Sequence, residues 1–413
     1  MKRNKKQKYN DKFIVYAFMG IILLCLIHIP IYFVLLYTGT ITLRIEDNFK
    51  SANHKESGLL IDLTNKLEDL KIDIENRATN YFPFYADINL MMRKIDNASN
   101  HLIYNKSLPL KLDAGEYIFK NIENDFYYTI TTETKETLKN KLNTQVKLFN
   151  ELSTATTAKV NLYMIPSYEY LEFSNQDRYQ NMYQYVDEFK EKLNDDINVS
   201  ELKINDLKKY QEYLFKTDHH WNSKGAYQGY LDILSMLNEN NPKEYQEGII
   251  KNQKMYGSYA KKAFDKSISD TFTYPNIELE EHKTLINQKD KTEVIYKPKS
   301  TKKPITSNEF YDYYIKFYQG QYSEVIFDYN NSSKKNLLII SDSYIWPIDE
   351  VIASHFNKTH LINLRYPPYD KNKFNYKEYI KNNDIDEVLF VYGMGTMVLD
   401  GNNYQIESKI ERW

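Results

Sequence analysis

Three apolar runs in the last quarter of the chain limit its fold more than any other feature. They are Asn336-Leu337-Leu338-Ile339-Ile340, Thr359-His360-Leu361-Ile362-Asn363-Leu364 and Glu387-Val388-Leu389-Phe390-Val391-Tyr392. The runs are largely continuous rather than alternating, as in strands buried on both faces. Between the first two lies a helical run to Phe356, with Pro347 in its first turn. A short helix near Tyr376–Lys381 separates the second from the third. Strand, helix, strand, helix, strand is the pattern of a parallel, doubly wound sheet, and it predicts an α/β fold.

The same pattern begins upstream. Residues 133–152 read as a helix with Leu138, Leu142, Val146 and Phe149 on one face and Thr132 or Thr134 as its cap. Val160–Ile165 reads as a buried strand closed by Pro166-Ser167, and Gln180–Leu193 as a second helix. Residues 240–330 form a long polar insertion with strand-like scraps such as Glu293-Val294-Ile295-Tyr296.

A serine at a strand-to-helix turn is exposed at the carboxyl end of a parallel sheet. Backbone N–H groups at the helix start can there stabilise an oxyanion. Ser341 and Ser343 are both candidates; the simpler alternative is that Ser341 or Asp342 only caps the helix. The companion stretch is Thr217-Asp218-His219-His220-Trp221-Asn222-Ser223-Lys224-Gly225-Ala226. Two of the chain's eight histidines adjoin here, beside a carboxylate. Ser223 reads as the N-cap of a helix whose apolar face includes Ala226, Tyr230, Ile233, Leu234 and Leu237. Asp218 and His220 therefore lie on a loop just before a helix. A hydroxyl at one strand end and an Asp/His pair on another loop are the ingredients of a Ser-His-Asp arrangement, which is recognised by role and not by chain order. An imidazole with no perturbing neighbours titrates near ~6.5, so a histidine base needs little tuning at neutral pH. The cluster Asp218, His219, His220 could in principle ligate a metal, but adjacent residues usually point apart and no second ligand cluster is evident. No metal and no cofactor are expected.

These two blocks carry a family resemblance. Thr217–Tyr227 resembles the signature of the bacterial DHHW family, as do Ile340-Ser341-Asp342-Ser343-Tyr344, Ser354-His355-Phe356 and Asn363-Leu364-Arg365-Tyr366. Both blocks are similar to the SGNH-hydrolase-like O-acetyltransferases of exopolysaccharide modification, of the alginate O-acetylation type. The resemblance implies a flavodoxin-like, three-layer α/β/α domain, with the Asp-x-His block placed before the serine block as in a circularly permuted SGNH hydrolase. It spans roughly residues 110–400. Carried over by position, it makes Ser343 the nucleophile, His220 the base and Asp218 its orienting carboxylate, with His219 between them. Ser341, Tyr344, Trp221 and Arg365 fall at substrate-binding positions. Two departures stand out. Ser341 occupies the place of a glycine, and no Gly-x-Asn oxyanion block is present, Tyr392-Gly393-Met394-Gly395 being the nearest candidate.

The N-terminal end adds a membrane expectation. Residues 1–12 hold six Lys/Arg and one Asp, and form a basic cytoplasmic tail. No charged residue occurs from Phe13 to Thr42, and residues 13–37 are long enough for an uncleaved transmembrane helix. Its length and its Leu-Leu-Tyr-Thr-Gly-Thr ending argue against a cleaved signal peptide. Residues 38–108 then form a helical stalk or linker, with Leu60, Leu63, Leu67, Leu70 and Ile74 at heptad-like steps. The main domain, 109–413, lies outside. The net charge of −2 leaves that body mildly acidic, which gives no reason to expect nucleic acid. The single cysteine, Cys25, lies in the apolar segment, so the body has no thiol chemistry. The excess of tyrosine, 38 against 12 glycines, reads as compositional drift rather than a sugar-binding surface.

Together these readings predict an extracytoplasmic serine-dependent O-acyltransferase acting on a cell-surface or secreted polysaccharide. A multi-pass membrane acyltransferase would supply the acyl group. A carbohydrate esterase or deacetylase, or a non-catalytic module of polysaccharide assembly, are the alternatives.

Overall fold

The computed structural model describes residues 107–113, 116–131, 134–174, 183–251, 254–263, 265–290, 310, 313–369, 371–398 and 406–411. These belong to the second of two compact units, Pro83–Trp413. The expected basic tail, the apolar segment 13–37, nearly all of the stalk and the scrap Glu293–Tyr296 lie outside the described residues. No helix among the described residues is long and apolar enough to cross a membrane.

In chain order the strands are β1 (Ser107–Asp113), β2 (Glu116–Asn121), β3 (Phe126–Thr131), β4 (Lys159–Ile165), β5 (Ile197–Glu201), β6 (Gln246–Ile249) and β7 (Thr273–Asn276). They continue with β8 (Lys283–Ile286), β9 (Lys289–Asp290), β10 (Glu324–Asp328), β11 (Asn336–Ser341), β12 (Lys358–Ile362) and β13 (Glu387–Gly393). The helices are α1 (Lys135–Thr154), α2 (Tyr183–Glu191), α3 (Leu207–Tyr213), α4 (Ser223–Met236) and α5 (Ser258–Ala263). After them come α6 (Tyr313–Tyr318), α7 (Asp349–Ala353), α8 (Tyr376–Asn382), α9 (Met394–Val398) and α10 (Ile406–Lys409).

The protein is mixed α/β around one large sheet. Among the described residues its order is β5-β4-β13-β11-β12-β10-β8-β9. The first five strands are mutually parallel, as the apolar runs predicted. β10 and β8 add to that sheet antiparallel, so the span 240–330 supplies strands to the sheet as well as loops. Each face of the sheet carries its own apolar core. Leu338, Ile340, Val388 and Phe390 pack towards α1, α2 and α8. Leu337, Ile339, Leu389 and Val391 pack towards α4, α6 and α7. The alternation within strands that looked uniformly apolar gives each face half of their side chains.

β11 leads to β12 on one side, and β13 returns on the other side of β11. The carboxyl end of β11 is therefore a switch point in the strand order, where α/β sheets open a crevice for ligands.

Two helix boundaries differ from expectation. Asn222, not Ser223, is the N-cap of α4; its side chain accepts from Lys224 N and Gly225 N. Ser223 Oγ is instead 2.7 Å from Glu247 Oε1, to which it donates. The run after β11 is not one helix but a 3-10 turn, Ser343–Ile345, followed by α7. Pro347 lies between them, and without an N–H it cannot carry the helical bonding through. Thr134 caps α1, one of the two expected caps.

Leu338 is fully buried in the middle of the sheet. Leu338→Ala should destabilise the protein by about 2–5 kcal/mol, through lost burial and the cavity it leaves. The check is the change in unfolding midpoint in denaturant.

Candidate active site

The loop between α3 and α4 is short and pinned at its base. Leu214 and Trp221 form an isolated antiparallel bridge, and Asn222 N donates to Tyr213 O at 2.8 Å. Its tip is Thr217-Asp218-His219-His220. Asp218 and His220 turn inward, and both are buried. His220 Nδ1 lies 2.6 Å from Asp218 Oδ1, and the His220 backbone N–H donates to the same oxygen at 3.0 Å. On its far side, His220 Nε2 is 2.8 Å from Ser343 Oγ. The acidic partner fixes the tautomer: Nδ1–H donates to the carboxylate, and the Nε2 lone pair faces the serine hydroxyl. The structure thus brings Asp218, His220 and Ser343 into one hydrogen-bonded line at the switch point of the sheet.

Burial alone would raise the pKa of Asp218. The two neighbouring imidazoles and the bonds from His220 and Ser258 outweigh it, and the carboxyl is held well below its ordinary value. Its ionised form thus contributes stability that is complete above the unfolded-state pKa of ~4 and is lost only as the pH falls further.

Gly257, Ser258, Asp270 and Tyr314 hold this line in place, and none of them was assigned a role from the sequence. Ser258 N, at the start of α5, donates to Asp218 Oδ2 at 2.6 Å. Gly257 makes that approach possible: a Cβ there would lie 2.4 Å from Asp218 Cβ and 2.6 Å from Thr217 O. Asp270 grips the loop from below, accepting from Lys216 N at 2.9 Å and from Thr217 N and Oγ1 at 2.8 and 2.6 Å. Burial pushes Asp270 up to about 6; the Thr217 and Lys216 donors oppose the rise and the Asp218 charge adds to it. Tyr314, on α6, stacks on His220 at a ring separation of 3.6 Å and donates its hydroxyl to Ser343 O at 3.1 Å. Among these, Gly257 carried the one usable sequence signal, a glycine in a chain that has only 12.

The Ser343 side is tied by a second carboxylate. Asp342 Oδ1 accepts from Tyr344 N and its Oδ2 from Gly393 N, each at 3.0 Å. The capping alternative raised for Asp342 therefore holds alongside the approach of Ser343 to His220. It also consumes the Gly393 N–H, so that part of the segment 392–395 is not free to serve as an oxyanion donor. A Cβ on Gly393 would meet the Tyr344 ring at 2.6 Å, which accounts for the glycine by packing.

The residues expected at substrate positions behave differently from one another. Trp221 is 1% exposed and packs in the core against α4 rather than at an opening. Tyr344 is buried, and its hydroxyl donates to His219 O at 2.5 Å, bracing the loop. Ser341 is buried, and its Oγ has no hydrogen-bond partner among the described residues. Arg365 is half-buried; its N and Nε both donate to Asn363 Oδ1 at 3.2 Å, and its Nη2 has no hydrogen-bond partner among the described residues.

Asp218, His219 and His220 also have the proximity of a metal-ligand set. The hydrogen bonds argue for another use. Both His220 nitrogens face protein groups, and His219 Nδ1 is taken by Ser258 Oγ at 2.7 Å.

A buried serine, histidine and aspartate at the carboxyl edge of a mostly parallel sheet define the class of site found in serine-dependent acyl-transfer proteins. No protein-family model matches the chain, and no curated protein sequence matches it. Solved structures do. PatB1 from Bacillus cereus matches with a TM-score of 0.54 and 19% identity over 70% of this chain and 100% of that one. A second PatB1 structure, which carries a sulfonyl adduct, matches at 0.53. A DHHW family protein from Eubacterium siraeum matches at 0.53 and 17% identity, over 73% of this chain and 98% of that one. At these identities the likeness is one of fold. It agrees with the DHHW resemblance carried by Thr217–Tyr227.

Gly257→Ala should displace Asp218 while leaving the sheet folded. The expected result is loss of the low-field proton resonance of the Asp218–His220 hydrogen bond in the NMR spectrum. Persistence of that resonance would show that the Gly257 contact does not set the carboxylate.

Proposed function

We propose that this protein is a serine-dependent O-acyltransferase, most simply an O-acetyltransferase, acting outside the membrane on a polysaccharide. The observation that carries this reading is the unbroken line Asp218–His220–Ser343, with Ser343 at the first position of the turn that follows β11. His220 Nε2 takes the Ser343 proton as Oγ attacks the carbonyl of an acyl donor. The Ser343 N–H, first in its turn, is the donor we assign to the developing oxyanion. The leaving group takes the proton from His220, and an acyl-enzyme remains. A sugar hydroxyl then attacks it, giving its proton to His220, which passes it to Ser343 Oγ. If water attacks instead, the same site is an esterase.

The polysaccharide acceptor and the acetyl group rest on the resemblance to DHHW and alginate-type O-acetylation proteins. The same resemblance makes the domain flavodoxin-like and circularly permuted, with the Asp-His loop ahead of the serine strand. The location rests on residues 13–37, proposed as a single transmembrane helix with the basic tail inside. Cytoplasmic acyl donors do not reach a domain placed outside, so a multi-pass membrane acyltransferase is the proposed source.

Full-length protein treated with a fluorophosphonate should gain an adduct on Ser343, and His220→Ala should abolish it. Turnover of an aryl acetate should fall about 10²–10⁴-fold in that variant, the range expected for loss of a general base. Silence of the wild type in both assays would move the reading to a non-catalytic assembly module.

Location has its own test. In intact cells the full chain should sediment with membranes, with its body open to added protease. Deleting residues 13–37 should remove the membrane association.

A further inference from the structure

His219 stands between Asp218 and His220 in sequence, and its geometry gives it more than a spacer's place. Nδ1 of both imidazoles lies near one oxygen, Asp218 Oδ1, at 3.4 Å for His219 and in a 2.6 Å hydrogen bond for His220. Their ring centroids are 3.8 Å apart with a tilt of 37°. Tyr314 covers His220 at 3.6 Å, and two rings that close cannot share one face, so His220 is sandwiched between His219 and Tyr314. In each ring Nε2 is the nitrogen further from that carboxylate oxygen. One Nε2 meets Ser343 Oγ. The other has no partner among the described residues, and the His219 side chain is 40% exposed where that of His220 is 6% exposed.

The protonation of His219 follows from its neighbours. A lone pair on Nδ1 would face the Asp218 carboxylate, so Nδ1 carries the hydrogen and donates it to Ser258 Oγ at 2.7 Å. The lone pair is then on Nε2, the nitrogen that forms no hydrogen bond among the described residues. Desolvation, and then the His220 ring, hold the His219 pKa down to about 4, which keeps this lone pair available at neutral pH.

We propose that His219 is an acceptor-binding residue, and that the paired Nε2 atoms of His219 and His220 select a vicinal diol. This rests on the acyltransfer reading of Ser343. One hydroxyl of the acceptor gives its proton to His220 Nε2 and attacks the acyl carbonyl; the bond to Ser343 Oγ breaks, and Oγ receives that proton. The adjacent hydroxyl keeps its proton and donates a hydrogen bond to His219 Nε2. Neighbouring equatorial or axial–equatorial hydroxyls on a sugar ring are spaced closely enough to meet two stacked imidazoles at once. The substrate class is a carbohydrate with adjacent free hydroxyls at the acylated position. A single isolated hydroxyl would use only one of the two nitrogens.

The test uses full-length protein, an aryl acetate as donor, and two acceptors that differ by one group, trans-cyclohexane-1,2-diol and cyclohexanol. The readout is the ratio of the two acetyl esters formed in competition from one pool of acyl-enzyme, which does not depend on how fast the acyl-enzyme forms. The wild type should favour the diol, beyond its statistical factor of two sites, by about fivefold, the worth of one neutral hydrogen bond. His219→Ala should bring the corrected ratio to about one, and His219→Gln, which keeps an acceptor oxygen, should retain part of it. Equal ratios in the wild type and His219→Ala overturn the assignment. An acyl-enzyme on Ser343 with no diol preference overturns it while leaving the acyltransfer reading intact. Failure of the wild type to form any acyl-enzyme overturns both.

Discussion

The carboxylate of Asp218 is the group on which the rest of the site depends. It is buried, and a buried charge is tolerated only where its oxygens are satisfied. Three donors do this: the backbone and Nδ1 of His220 on Oδ1, and Ser258 N on Oδ2. Two of them come from the same loop and fix the imidazole. The third comes from a turn 40 positions further on, which is why that turn has to reach the loop tip. Gly257 is the steric condition for that contact, and Asp270 holds the loop from the opposite side through Thr217. The long polar span 240–330 therefore completes the site in addition to extending the sheet.

Asp342 repeats the device beside Ser343. Its two oxygens bind one N–H from its own turn and one from the end of β13, so the serine turn is locked to the neighbouring strand. Tyr344 then joins the halves by donating to His219 O, across 125 positions of sequence. Positioning of Ser343 against His220 comes from two satisfied carboxylates and one tyrosine bridge. Each is a short contact between groups that would be costly to leave buried and unpaired.

This arrangement explains what was legible in the sequence. The strands β11, β12 and β13, and β4 upstream, were readable because strands covered on both faces need largely continuous apolar runs. The two blocks that carry Asp218, His220 and Ser343 stood out by their residue types, and the family resemblance then chose His220 over His219 and Ser343 over Ser341. The groups that hold them were not readable. Ser258 acts through a backbone N–H, which has no residue signature. Tyr314 is one of 38 tyrosines, and Asp270 one of many acids in a polar stretch. Trp221 shows the converse. The resemblance put it at a substrate position, yet it bridges Leu214 and is buried in the core. The helix start was misjudged by one residue because Asn222 and Ser223 are both good caps, and Glu247, distant in sequence, engages Ser223.

The surplus of tyrosine takes on a physical meaning inside the fold. Tyr314, Tyr344, Tyr230 and Tyr163 each bury a ring and deliver a hydroxyl to a partner: Ser343 O, His219 O, His355 Nε2 and Asp232 Oδ2 respectively. A tyrosine can thus fill core volume and satisfy a buried polar atom with one side chain of few torsions. Burial raises the phenol pKa of Tyr314, Tyr344 and Tyr163 well above the ordinary value, so these hydroxyls remain donors. Whatever drift enriched the chain in tyrosine, the fold has used these rings as struts. Tyr314 bears directly on His220 and Ser343, and Tyr344 on the loop that carries His220. With Tyr314 stacked on one face of His220 and His219 on the other, the imidazole has little room to rotate out of line. Acyl transfer gains from donors and bases already aimed before charge develops, because no reorganisation is then required at the moment of reaction.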